Sequence, residues 1–185
     1  MRAIIARAVL ERAEQPGRLG AFTLRRAQRG TVDRIRAALS EFGGALLADA
    51  PGTGKTVVAL AVASAYPEAL VVVPATLRAQ WSAAAARAQV ALHLVSFEML
   101  SRGDTLIQAP LVIVDEAHHV RTTTTRRYAA VARACVGAHV LLLSATPVVN
   151  RRADRDALLA LFLGTRATSL SRGDASRIIV RRTPE

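Results

Sequence analysis

Ala45-Leu46-Leu47-Ala48 runs into Asp49-Ala50-Pro51-Gly52-Thr53-Gly54-Lys55-Thr56, and the stretch that follows, residues 55–65, is rich in Ala and Leu. The first four residues are an apolar run of strand length, and the last segment favours helix. A Gly-rich loop between a strand and a helix is the setting that a phosphate-binding loop needs. Its glycines let the backbone turn N–H groups inward around phosphate oxygens. The following helix adds the positive end of its dipole, and Lys55 adds a full charge at the β- and γ-phosphates. Thr56 offers a hydroxyl ligand to Mg²⁺. The usual pattern opens with Gly where this chain has Asp49, so the strict motif fails at its first position. Lys55 is also the only lysine in a chain that otherwise uses Arg.

Outward from this loop the same alternation continues. Leu70–Val73, Leu92–Val95, Leu111–Val114 and Val140–Leu143 are further strand-length apolar runs. Residues 76–89, 122–135 and 153–163, rich in Ala, Leu and Arg, read as helices between them. Runs apolar on both faces indicate a sheet covered on both sides. The expected fold class is therefore α/β, a mostly parallel open sheet with helices on both faces. Upstream, residues 2–14 read as an amphipathic helix ended by Pro16-Gly17. Residues 26–41 read as a second, with Val32, Ile35 and Leu39 on one face. Thr122-Thr123-Thr124-Thr125 reads as a loop ending in a helix N-cap.

Leu111-Val112-Ile113-Val114 ends in Asp115-Glu116-Ala117-His118. Adjacent carboxylates after an apolar strand are costly to bury without a task. Beside a phosphate loop, Asp115 is suited to hold Mg²⁺, and Glu116 to orient or deprotonate an attacking water. His118 and His119 lack Cys or further His at ligand spacing, so zinc is not expected. His118 reads as a contact to a neighbouring loop and His119 as solvent-exposed.

The formal net charge of +11 suggests a polyanionic partner. A general excess of Arg in an Ala-rich chain needs no ligand to explain it, so charge alone does not establish nucleic acid. No apolar run approaches the roughly 20 residues needed to span a bilayer. The charged start, Met1–Arg7, is not a secretory signal. Cys135 is the only cysteine and reads as a small buried side chain. No membrane and a cytoplasmic location are the expectations.

Asp115-Glu116-Ala117-His118 is the D-E-A-H form of motif II in superfamily-2 helicases. Ser144-Ala145-Thr146-Pro147 resembles their motif III, which couples the nucleotide site to nucleic acid, and His118 shares that coupling role. Leu24-Arg25-Arg26-Ala27-Gln28 resembles the segment whose glutamine reads adenine. Pro74–Trp81 looks like motif Ia and Val95–Leu100 like motif Ib, both of which line the nucleic-acid track. Within the superfamily the chain is most similar to Swi/Snf-type translocases. These share Leu47-Ala48-Asp49 before the loop, the run Thr146-Pro147-x-x-Asn150-Arg151, and a tail like Val180-Arg181-Arg182-Thr183.

The resemblance covers residues 22–183. It implies an N-terminal RecA-like, helicase ATP-binding domain over residues 22–185, preceded by a helix and linker over 1–21. ATP and Mg²⁺ are the implied cofactors. Pro51, Gly52, Thr53, Gly54, Lys55, Thr56 and Gln28 would bind nucleotide. Thr56 and Asp115 would hold Mg²⁺, and Lys55 and Glu116 would serve catalysis. Ser144, Ala145 and Thr146 would couple the sites, and Thr76, Arg78 and Ser96 would meet nucleic acid, expected to be double-stranded DNA. Motifs IV to VI, carried by the family's second RecA-like domain with its arginine fingers, have no counterpart in these residues. Translocation is expected over strand unwinding, and hydrolysis by this half is expected to be feeble. The alternative is a non-catalytic nucleotide- or DNA-binding module acting through a partner.

Overall fold

The computed structural model describes residues 17–103, 108–145 and 151–182. The helix expected over residues 2–14 lies outside them. A short antiparallel hairpin opens the described chain, β1 (Arg18–Leu19) pairing with β2 (Phe22–Thr23). It is tied to the body by Ala21 N–H donating to Arg87 O at 2.8 Å. Ala21 lies in the turn of this hairpin and Phe22 opens its second strand.

Six parallel strands form the sheet, in the order β5-β4-β6-β7-β3-β8. They are β3 (Gly44–Leu47), β4 (Ala69–Val73), β5 (His93–Ser96), β6 (Leu111–Val114), β7 (His139–Leu143) and β8 (Ile179–Val180). The helices are α1 (Arg26–Phe42), α2 (Lys55–Ala63), α3 (Arg78–Ala88), α4 (Phe97–Arg102), α5 (Arg126–Cys135), α6 (Arg152–Leu163) and α7 (Arg172–Ile178). The expected α/β class, with a parallel sheet covered on both faces, is what the chain adopts.

Alternation along the strands splits the core in two. Leu46, Val72, Val112, Val114, Val140 and Leu142 face the layer that contains α4, α5 and α6. Ala45, Leu47, Val71, Val73, Ile113, Leu141 and Leu143 face the layer of α1, α2 and α3. Every residue of β3, β4 and β6 is buried. This double burial is why those strands read as continuous apolar runs. Gly44 is required by packing, since a Cβ there would overlap the ring of Phe162 on α6.

α1 follows its expected span closely, with Val32, Ile35 and Leu39 buried. It stops at Gly43, whose left-handed backbone (φ 79°) returns an N–H to Leu39 O at 3.0 Å. The helix expected over 122–135 begins only at Arg126, because Thr125 Oγ1 accepts the Tyr128 N–H at 3.1 Å and caps it there. The segment expected as one helix over 76–89 is divided. Residues Ala75–Leu77 form a 3₁₀ turn, and α3 follows from Arg78. Cys135 is buried, and its thiol is pushed up to about 12 by that burial.

Candidate functional site

The phosphate loop leaves the C-terminal end of β3 and opens α2, as the spacing predicts. Gly52 (φ 76°) and Gly54 (φ 81°) both have left-handed backbone, which only glycine takes without strain. Lys55 Nζ donates to the carbonyls of Asp49 at 2.9 Å and Ala50 at 3.0 Å, so the side chain folds back over its own loop. Both acceptors are neutral, which leaves the ammonium charge for an anion. Thr53 Oγ1 donates to Ala50 O at 2.8 Å and pins the turn, while Pro51 and Gly52 lie exposed at its tip. Thr56 stands in the first turn of α2, whose leading N–H groups lack intrahelical acceptors.

Asp49, the departure from the usual pattern, is almost fully buried, at 3% exposure. Its carboxylate accepts the Arg182 backbone N–H at 2.7 Å on Oδ1 and Arg182 Nε at 2.5 Å on Oδ2. Ala48 N–H donates to Val180 O beside it at 2.9 Å. The residue in place of glycine thus clamps the segment after β8 against the root of the phosphate loop. Reading the sequence missed this role, although Arg182 stands in the tail noted for its resemblance.

Asp115 follows β6, and Ser144 follows β7, the strand between β6 and β3. The register pairs Val114 with Leu142 and Leu143 with Leu47, so all three strands end at one level. Two strand spacings put the ends of β6 and β3 about 10 Å apart. Asp115 and the root of the phosphate loop are therefore separated by the width of one intervening strand. Asp115 Oδ1 accepts the Glu116 N–H, and Oδ2 accepts the buried indole N–H of Trp81, each at 2.8 Å. Trp81 was noted only within motif Ia; its being the sole tryptophan was the available signal.

Glu116 has left-handed backbone (φ 49°), uncommon for a residue with a Cβ, and its side chain is turned partly to solvent. His118 Nδ1 lies 3.2 Å from Glu116 Oε2, without the alignment of a hydrogen bond. The neighbour of His118 shown here is thus the carboxylate of Glu116, two residues before it. His119 is exposed, as expected, and its ring stacks within 4.3 Å of His118 and 5.7 Å of Phe97. Burial against these rings, then the neighbouring His118 and Arg127, hold its pKa below the ordinary value.

Gln28 is buried in the first turn of α1, its Oε1 accepting the Arg25 N–H at 2.9 Å. Its Nε2 occupies the space where a Cβ on Gly54 would stand, 2.6 Å from that point. The glutamine expected to read adenine therefore touches the phosphate loop. Ser144 is buried, its N–H bonded to Leu47 O at 3.0 Å, and Ala145 is half-buried next to it. Thr146 lies outside the described residues.

Of the residues expected to meet nucleic acid, Thr76 and Arg78 are exposed where the 3₁₀ turn passes into α3. Ser96 is not available in that way. It is buried, and its hydroxyl caps α4 by accepting the Met99 N–H at 3.2 Å.

The residues fit a nucleoside triphosphate with Mg²⁺. Two left-handed glycines turn the loop, Lys55 folds back over it, Thr56 stands in the first turn of the helix, and a buried Asp ends the strand two places away in the sheet. Among the described residues no group of three His, Cys, Asp or Glu could hold a metal unaided. Mg²⁺ needs only one or two protein oxygens and completes its shell with phosphate and water.

Comparison with known proteins agrees with this geometry. Residues 87–172 match the SNF2-related domain family. A Bos taurus SWI/SNF-related matrix-associated actin-dependent regulator of chromatin subfamily A-like protein 1 is 32% identical over 146 residues, 65% of this chain. Residues 87–172 thus carry the similarity to an SNF2-related domain. The "Uncharacterized ATP-dependent helicase YqhH" of Bacillus subtilis is 33% identical over 138 residues, 59% of this chain. The chain spans 16% of the bovine protein's length and 24% of the bacterial one's. Among solved structures, the Sulfolobus solfataricus SWI2/SNF2 ATPase core in complex with dsDNA superposes with a TM-score of 0.77 at 19% identity. That match covers 91% of this chain and 46% of the other, and it establishes the fold. The fold of the described residues is thus the RecA-like α/β one that the motifs implied, and among those residues no helix is long and apolar enough to cross a membrane.

Proposed function

We propose that this domain is the ATP-binding half of an ATP-dependent translocase that acts on duplex DNA. The observation that carries the reading is the convergence of Gln28, the loop 49–56 and Asp115 at the C-terminal edge of the sheet, where its parallel strands end. In that reading Gln28 recognises adenine, and Pro51, Gly52, Thr53 and Gly54 present backbone N–H groups to the phosphates. Lys55 exchanges its two carbonyl acceptors for the β- and γ-phosphates. Thr56 and Asp115 hold Mg²⁺, which when bound neutralises charge on the phosphates. Glu116 orients or deprotonates the attacking water. His118, Ser144, Ala145 and Thr146 link this edge to the nucleic-acid side, where Thr76 and Arg78 meet the phosphate backbone.

Hydrolysis by this half is slow, because transition-state arginines come from a second RecA-like domain and contribute about 10³–10⁵ in rate. We place the hairpin and everything after it in one motor domain, whose partner is such a second domain on this or another chain. Duplex DNA is favoured by the solved neighbour described with dsDNA. A cytoplasmic setting is favoured by a single, buried cysteine.

The test is Mg·ATP binding and turnover by wild type and Lys55→Ala, each with and without duplex DNA. The expected result is binding lost in Lys55→Ala, slow turnover in wild type, and DNA stimulation once a domain carrying motifs IV–VI is added. Absence of ATP binding by wild type would refute the reading and leave a non-catalytic interaction module.

A further inference from the structure

Trp81 is the sole tryptophan of the chain and is 1% exposed. It lies on α3, one helical turn after Arg78, and reaches the C-terminal end of β6 from the layer that also contains α1 and α2. Its only polar atom, Nε1, donates to Asp115 Oδ2 at 2.8 Å, and that bond is fully buried. A buried indole N–H needs an acceptor, and a buried carboxylate needs donors, so each satisfies the other.

The choice of donor matters for what Asp115 can do next. An Arg or Lys at this place would neutralise the carboxylate and compete with a cation. The indole fixes the oxygen's direction and leaves the negative charge in place. With Oδ1 turned toward the Glu116 N–H at 2.8 Å, the plane of the carboxylate is set by two donors on different elements. Each oxygen retains lone-pair capacity for one further partner.

We infer that Trp81 is a positioning residue for the metal: its indole N–H holds Asp115 in the orientation that receives Mg²⁺ at the nucleotide site. This rests on the reading of Asp115 as a Mg²⁺ carboxylate given above. It also makes α3 the mechanical link between the exposed turn at Thr76 and Arg78 and the metal carboxylate.

The test compares full-length wild type with Trp81→Phe, which keeps an aromatic ring and removes the donor. ATP binding is measured by calorimetry in excess chelator and then across a Mg²⁺ titration. Loss of an outer partner to a metal ligand costs about 10–100-fold in metal affinity. The expected result is a Mg²⁺ midpoint raised by about that factor, with chelator-condition ATP affinity within about twofold of wild type. A residue with only a packing role would lower both affinities together, and that outcome overturns the inference.

A second measurement needs no variant. The emission of Trp81 in the wild type should change when Mg²⁺ is added to ATP-loaded protein. Constant emission together with an unshifted Mg²⁺ midpoint in Trp81→Phe overturns the inference while leaving ATP binding intact. Failure of wild type to bind ATP in either condition overturns instead the assignment of the nucleotide site.

Discussion

Replacing Arg182 by Ala removes the charged partner of a carboxylate whose side chain is only 1% exposed, while the Arg182 side chain is itself 16% exposed. Truncating one member of a buried pair costs about 3–5 kcal/mol, chiefly because the other charge stays buried without compensation. Two features favour the low end. Asp49 keeps the backbone N–H of residue 182, which survives the substitution. Arg182 Nη2 is buried with no hydrogen-bond partner among the described residues, so some desolvation cost disappears with it. A loss of about 3 kcal/mol is expected, or about 6–12 °C in Tm at the sensitivity usual for a domain of this size. Urea unfolding of wild type, Arg182→Ala, Asp49→Asn and the double variant forms the assay. The double variant should be more stable than Arg182→Ala alone, since it removes the orphaned charge, with a coupling of at least about 1 kcal/mol. Faster hydrogen exchange at Ala48, whose N–H is bonded to Val180 O, should accompany the loss. A cost below about 0.5 kcal/mol, or strictly additive substitutions, would refute the view that Asp49 clamps the end of the sheet.

Three further outcomes follow from the same geometry. Gly54→Ala should destabilise by about 1–2 kcal/mol through left-handed strain alone. It should also displace Gln28 Nε2, weakening the preference for adenine over guanine nucleotides in competition binding. The Cys135 thiol, raised from its ordinary 9 to about 12 by burial, should resist a thiol reagent in the folded protein and react on unfolding. Because its folded pKa is the higher one, its contribution is intact below pH 9 and is lost as pH rises from 9 towards 12, as pH-dependent urea titrations would read. Arg78→Ala should weaken binding to duplex DNA and reduce the slope of log affinity against log salt by about one unit. An unchanged slope would take Arg78 off the phosphate backbone.

What the sequence by itself determined is local in origin. Strands buried on both faces have to be apolar throughout, so β4, β6 and β7 announced themselves. The loop 49–56 depends on left-handed glycines and a helix start, both of which are sequence signals. Asp115 and Glu116 were legible because two carboxylates directly after an apolar strand are costly without a role. The two-residue strands β1, β2 and β8 were not legible, since two residues carry no periodicity. The short helices α4 and α7 were missed for a similar reason. Ser96 was assigned to a surface because its neighbourhood resembles a nucleic-acid motif, whereas its hydroxyl is consumed in capping α4.

Only the tertiary structure decided who partners whom across long separations. Asp49 was a trait shared by likeness with no physical reason until Arg182, 133 residues away, arrived beside it. Trp81 was only part of a motif until its N–H was found on Asp115, 34 residues away. Gln28 could be assigned to adenine by likeness alone, and only packing brought its amide against Gly54. Side-chain chemistry specifies that a buried donor or carboxylate must find a partner. The path of the folded chain selects which one.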